Sequence, residues 1–283
     1  MAALHHLPAN QMVEMLAKRV LVLIFLVPTV TGFLALGGWG YALFISAVLA
    51  ISTWEFWRMF KGGGYNPSLG ILLFGVVALV AARQAAGFHM ADLILVLLVL
   101  AAMSWHTISF ERGSPKSAID LNITLGGLAY LGWLGAYFVS LRNLPDGLWW
   151  TLTALSAVWL ADMGAYLIGR RWGRHKLAPL VSPHKSWEGY LGGVATSALL
   201  TPAFAWLWHL KAETVTPLAG FIMALVVSAV SIAGDLAESL LKRQFNQKDS
   251  SNLLPGHGGV LDRIDSWLWA VAVGYYLVAW LWV

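Results

Sequence analysis

The sequence predicts an all-α, polytopic integral membrane protein of about nine transmembrane helices with its N-terminus in the cytoplasm. Three observations carry this. First, hydrophobic residues make up 59% of the 283 and charged residues only 11%, against roughly a quarter charged in soluble domains. A soluble protein of this size could not bury that much apolar surface, so the surplus must face lipid. Second, the apolar residues are gathered into runs of spanning length, about 17–25 residues each. Third, the cations are distributed very unevenly between the two sets of connections.

Taken in order, the runs fall near 20–37, 39–57, 68–84, 91–110, 121–141, 148–169, 188–209, 217–241 and 264–283. The first two are joined tightly through Gly37 and Gly38. Sixteen Trp fit this architecture, because Trp gathers at bilayer interfaces. Residues 9–17 read as a short interfacial helix, and no basic-then-apolar order or small-residue cleavage site marks a removable signal peptide. There is no internal repeat and no linker, so 1–283 is expected to be one membrane domain. Its N-terminal helices, 1–147, are read as a lipid-facing scaffold and 148–283 as the catalytic half.

With the N-terminus inside, the inner connections hold Lys18, Arg19, Arg58, Lys61, Arg112, Lys116, Arg170, Arg171, Arg174, Lys176, Lys185, Lys242, Arg243, Lys248 and Arg263. The outer ones hold only Arg83, Arg142 and Lys211. This split is a strong positive-inside signal. The net charge of +4 therefore understates a basic face that attracts anionic lipid headgroups; no nucleic-acid partner is expected.

The acids point to the same face. Asp162 lies in the cytoplasmic half of the sixth span and Asp235 near the cytoplasmic end of the eighth. Asp249, Asp262 and Asp265 lie in or beside the last inner connection. A coupled transporter would be expected to carry titratable groups at the midplane of several helices; chemistry at the inner interface is the better reading.

Two segments hold most of that chemistry. In "SPHKSWEG", Ser182 before Pro183 reads as a turn, with Lys185 and Ser186 just ahead of a helix beginning near Glu188. A lysine and hydroxyls at a helix N-terminus suit a phosphate. In "GDLAESLLKRQFNQKDSSNLLPGHGGVLDRID", residues 234–265, Asp235 and Ser239 are one helical turn apart, with Glu238 and Lys242 on the adjoining strip. The Pro255-Gly256-His257-Gly258-Gly259 run allows close backbone approach to a ligand. Asp262 and Asp265 are spaced i, i+3 across the start of the last helix. Oxygen donors with no Cys and few His favour Mg²⁺ over zinc. No Walker loop, dinucleotide fingerprint, nucleophile elbow or zinc helix is present.

These residues carry a resemblance. Ser239-x-Leu241-Lys242-Arg243, Lys248-Asp249 and Pro255-x-His257-Gly258-Gly259-x-x-Asp262-Arg263-x-Asp265 resemble the signature of CDP-diacylglycerol synthases (phosphatidate cytidylyltransferases), over 27 consecutive residues. Asp162, Ala165-Tyr166, Gly169 and Ser182-Pro183-x-Lys185-Ser186-Trp187-Glu188-Gly189 are similar to that family's upstream block, although His184 departs from it. The resemblance implies transfer from CTP to phosphatidic acid, giving CDP-diacylglycerol and pyrophosphate with Mg²⁺. It further implies a homodimer in the bacterial inner membrane with the active site facing the cytoplasm. Asp235 and Asp262 would be the main metal carboxylates, with Asp265 and Asp249 as second choices. Lys242, Arg243, Lys248, Arg263 and His257 would bind phosphates beside Gly258 and Gly259, and Ser182, Lys185 and Ser239 would face the nucleotide or lipid phosphate. A second, monovalent cation such as K⁺ is left open. Related readings are a CTP-dependent polyprenol kinase or the archaeal-lipid cytidylyltransferase, and, from another class, a lipid or anion transporter.

Overall fold

The computed structural model describes residues 24–254, 256 and 258–283. The chain is a helical bundle: α1 (Ile24–Leu36), α2 (Gly38–Gly62), α3 (Leu69–Glu111), α4 (Ser117–Gly127), a π-helical turn (Leu128–Trp133), α5 (Tyr137–Arg142), α6 (Gly147–Trp172), α7 (Trp187–His209), α8 (Pro217–Gln244) and α9 (Leu261–Leu281). Among the described residues, seven segments are long and apolar enough to cross a membrane, α4 to α5 counting as one. The protein is thus an all-α polytopic membrane protein, as the composition predicts. The interfacial helix expected at 9–17 lies outside the described residues.

The 43-residue α3 would be about 65 Å long if straight, twice the hydrocarbon thickness of about 30 Å. It is instead a hairpin. Ala86 and Gly87 leave helical geometry, Gly87 at φ 65°. Gly75 faces Leu98 so closely that a Cβ on it would sit 3.1 Å from the leucine methyls, whereas a straight helix would hold the two residues about 35 Å apart. The predicted runs 68–84 and 91–110 are therefore the two arms of α3. Gly87 turns the chain because it alone tolerates that positive φ without a Cβ clash.

Close packing in the membrane relies on small residues, since lipid offers no hydrophobic drive between helices. The 117–142 span packs against the first arm of α3 through Gly127 and Gly132, where a Cβ would meet Leu72 at 2.7 Å and Leu79 at 2.8 Å. Helices α6 and α7 approach until a Cβ on Gly189 would lie 3.0 Å from the Gly169 Cα. The Ser197 hydroxyl donates across this seam to the Ala157 carbonyl (2.8 Å). Large apolar side chains such as Phe74, Leu97, Trp159, Leu199 and Trp280 remain exposed on the outside of the bundle, where lipid would cover them.

One element departs from the all-α expectation. Strands β1 (Lys176–Ala178) and β2 (Ser182–Ser186) form an antiparallel hairpin, so Ser182 opens a strand and does not make the turn read from its proline. The turn comes earlier, at 179–181. An isolated two-stranded hairpin is marginal in water; this one is docked. The Glu188 carboxylate accepts the Arg174 and His175 amides at 3.0 and 3.2 Å. Arg243 Nε donates to the Val181 carbonyl (3.2 Å), and the Trp187 amide to the His175 carbonyl (2.9 Å). The strand ends at Ser186, whose hydroxyl caps α7 by accepting the Gly189 amide (3.2 Å).

The connections after α2, the second arm of α3, α6 and α8 meet at one end of the bundle. Phe245 packs on Phe60 with ring centroids 4.9 Å apart, Lys116 Nζ reaches the Gly64 carbonyl (3.1 Å), and Arg243 holds the hairpin. At the opposite end Arg142 Nε bonds the Leu34 carbonyl (2.8 Å) and Thr214 bonds Asp146 (2.7 Å). Among the described residues, the chemistry singled out in the sequence lies at the first end.

Candidate active site

At that end a cavity of about 280 Å³ opens between α6, α8, α9 and the 245–260 loop, lined by Asp162, Asp235, Lys242, Asp249, Asp262, Arg263, Asp265, Ser266 and Trp267. Five carboxylates face two cationic side chains. So many acids at a membrane interface require cations as partners. Helical spacing supplies part of the pattern. Asp235 and Ser239 share a face of α8, and the Ser239 hydroxyl donates to Asp235 Oδ1 (3.2 Å). On the adjoining strip the Lys242 ammonium pairs with Glu238 at i, i+4.

The remaining partners come from elsewhere in the chain. Lys242 Nζ also donates to Asp262 Oδ1 (2.6 Å), joining α8 to α9 inside the protein. The Lys185 ammonium, carried in by β2, forms an ion pair with Asp235. Lys185 is therefore not simply poised at the free N-terminus of α7 as its sequence position suggests; it reaches into the aspartate cluster.

Asp262, in the first turn of α9, organises the loop ahead of it. Its Oδ2 accepts the Gly259 amide (2.8 Å), the Ser250 amide (3.0 Å) and the Ser250 hydroxyl (3.0 Å). A second carboxylate completes the frame. Glu55, fully buried at 0% exposure on α2, accepts the Val260 amide (3.0 Å), the Leu261 amide (2.7 Å), the Ser251 hydroxyl (2.5 Å) and the Ser250 hydroxyl (3.3 Å). The glycines in this loop make room for these groups. Gly258 has φ +80°, and a Cβ on it would lie 2.8 Å from Asp262 Oδ2. A Cβ on Gly259 would lie 2.6 Å from Glu55 Oε1 and run into the Ser250 hydroxyl. The close approach expected of this run is realised first toward the protein's own carboxylates.

Of the residues expected at the site, Asp235, Asp262, Asp265, Asp249, Lys242 and Arg263 line the cavity, and Lys185 and Ser239 touch it through Asp235. Asp265 is buried and its Oδ1 accepts the Ser266 amide (2.6 Å). Ser182 and Lys248 do not line the cavity, nor does Arg243, whose guanidinium bonds the Val181 and Gln247 carbonyls at 3.2 and 3.0 Å. His257 lies outside the described residues. Sequence reasoning passed over Glu55. The available signal was a carboxylate within an apolar run, which is costly in a membrane unless it has a task.

The donor set suits a hard divalent cation. The donors are carboxylate oxygens around a polar cavity, and no Cys is available. Among the described residues no three acids or histidines converge as a ready-made chelate.

The sequence profile of the Cytidylyltransferase family matches residues 17–281. The chain is 38% identical over 267 residues to a phosphatidate cytidylyltransferase of Pseudomonas aeruginosa, covering 92% of this chain and 95% of that one. It is 32% identical over 275 residues to one of Synechocystis, covering 87% and 90%, and 32% identical over 249 residues to one of Bacillus subtilis, covering 84% and 88%. With Lys242, Asp249, Asp262, Arg263 and Asp265 of its signature lining one polar cavity and a match that spans nearly the whole bundle, this chain belongs to the Cytidylyltransferase family.

Proposed function

We propose that the protein is a phosphatidate cytidylyltransferase working at the cytoplasmic face of a bacterial inner membrane. The observation that carries this is the convergence of Asp235, Lys242, Asp249, Asp262, Arg263 and Asp265 on one cavity at the cation-rich end of the bundle. CTP comes from water and phosphatidic acid from the inner leaflet, and only an interfacial site can receive both. A phosphate oxygen of phosphatidic acid attacks the α-phosphorus of CTP; the bond to the β-phosphate oxygen breaks, and pyrophosphate leaves with the electron pair. The attacking oxygen is already ionised at neutral pH, so no general base is needed. The work is positioning and charge neutralisation.

Asp235 and Asp262 would hold Mg²⁺, with Asp265 and Asp249 beside them, and the ion would supply neutralisation of the triphosphate and of the departing pyrophosphate. Lys185 and Lys242 each neutralise one of these carboxylates, through Asp235 and Asp262. The Lys242 ammonium, at the cavity wall, stands where it can donate to entering phosphate oxygens, and Lys185 meets the cavity through Asp235. Arg263, exposed at the cavity wall, adds a fork suited to phosphate. The family resemblance supports a homodimer, and the spanning helices and bacterial relatives support an integral membrane protein.

The test is incubation of purified protein with labelled CTP, phosphatidic acid and Mg²⁺. CDP-lipid with pyrophosphate is expected; phospholipid with CDP, or no product, overturns the assignment. Orientation is tested by cysteine labelling, which is clean because the native chain has no cysteine. Cysteines at the exposed positions Leu180 and Asn252 should resist an impermeant reagent added outside intact cells, and one at the exposed Glu213 should react. The reverse pattern would invert the topology.

A further inference from the structure

We infer that Glu55 is a positioning residue of the active site, through which the N-terminal helices hold the catalytic loop in shape. The inference rests on the reading of this cavity as the catalytic centre. Glu55 sits on α2, outside the signature, about two hundred residues from the groups it binds. Its carboxylate is fully buried, and no Lys, Arg or His among the described residues pairs with it. Its compensation comes from donors alone, two backbone amides and two hydroxyls, at the positive end of α9.

The arrangement assigns each oxygen. Oε1 accepts from the Ser251 hydroxyl and the Val260 amide, and Oε2 from the Leu261 amide while sharing the Ser250 hydroxyl proton with Asp262. Backbone amides flank both oxygens, so each must be an acceptor. An amide side chain cannot satisfy this, because its NH₂ would face the N–H of Val260 or Leu261 and leave that donor orphaned. Ser250 joins the Glu55 frame to the cavity, since its hydroxyl also lies 3.0 Å from Asp262 Oδ2. A hydroxyl has one proton for these two carboxylates, and the Ser250 amide anchors it to Asp262 (3.0 Å). Asp249, at the cavity wall, precedes this serine directly. Disturbing Glu55 therefore moves Asp249 and Asp262 together while leaving Asp235 and Lys185 in place.

The test uses Glu55→Gln in the full-length purified protein, with two readouts. Hydrogen–deuterium exchange should rise at least tenfold in the 249–261 segment and stay unchanged in α6 and α7. This readout needs no turnover, so it stands even if CTP and phosphatidic acid give no product with the wild type. In the activity assay, run well below the melting temperature, kcat/KM for CTP should fall at least tenfold per folded molecule. A double substitution with Ser251→Ala should lose less than the two single losses combined. Unchanged exchange in 249–261 would overturn the proposal. So would a general rise in exchange with a lowered melting temperature and normal kcat per folded molecule, which is what a purely structural glutamate would give.

Discussion

Two lysine–aspartate pairs face the same cavity, and they are built differently. The Lys185–Asp235 pair joins a docked hairpin to α8, and its side chains are 24% and 36% exposed. The Lys242–Asp262 pair joins α8 to α9 at 10% and 5% exposure, with Glu238 buried completely behind it. The more exposed Lys185–Asp235 pair is screened better by solvent, so breaking it should cost less stability. A buried pair is costly to break, about 3–5 kcal/mol when one partner is removed. The first pair is thus the easier of the two to open for substrate. The second holds α8, α9 and the loop together as well as serving the chemistry.

The largest effects should come from the carboxylates. Asp235→Asn and Asp262→Asn should each lower kcat by a thousandfold or more at saturating Mg²⁺, about 4 kcal/mol of transition-state stabilisation. Stability should separate them. Asp235→Asn should melt close to wild type. Asp262→Asn should melt well below it, because the new NH₂ must face either Lys242 or the loop donors. Near-normal turnover in either variant would remove that residue from the proposed metal site, and equal melting temperatures would erase the contrast.

The lysines should follow. Lys242→Gln leaves Glu238 and Asp262 buried without their cation, so it should cost about 3–5 kcal/mol of stability. Lys185→Gln should lower kcat/KM tenfold or more, about 1.4 kcal/mol, with little change in melting. Lys176→Gln, an exposed cation on the same hairpin, should change neither. If Lys185→Gln and Lys176→Gln behave alike, Lys185 is an ordinary interfacial charge.

A smaller loss, about 1–3 kcal/mol of stability, is expected for Gly259→Ala, because its Cβ enters the space between Ser250 and Glu55. Thermal melting and loop exchange would measure it. Unchanged melting would show that the frame around this loop gives way readily. Smallest is Ser239→Ala, which removes one long hydrogen bond to Asp235 (3.2 Å), worth about 1 kcal/mol. A few-fold drop in kcat/KM is expected; a hundredfold drop would mean that Ser239 touches substrate directly.

Hydropathy located the membrane helices because lipid demands long apolar runs with internally satisfied backbones. The predicted runs and the observed helices differ by only a few residues at most ends, for example 148–169 against Gly147–Trp172. The i, i+4 partners Asp235–Ser239 and Glu238–Lys242 were equally legible, since helical geometry alone makes them neighbours. The β1–β2 hairpin was not. Its strands are short, and their alternation is no stronger than that of a loop; it exists because Glu188, Arg243 and Asp235 hold it.

The sequence by itself determined the class of molecule, its spans, the cation-rich end and the signature residues that mark the site. The first three follow from composition, periodicity and charge distribution along the chain, and the signature residues from the family resemblance. Tertiary structure alone decided which charge each of those residues meets. Lys185 finds Asp235 only because the hairpin docks on α8, and Glu55 finds the 250–261 backbone only because α2 packs beside α9. Partners so far apart in the chain are brought together by helix packing and strand docking, and no local pattern records that register.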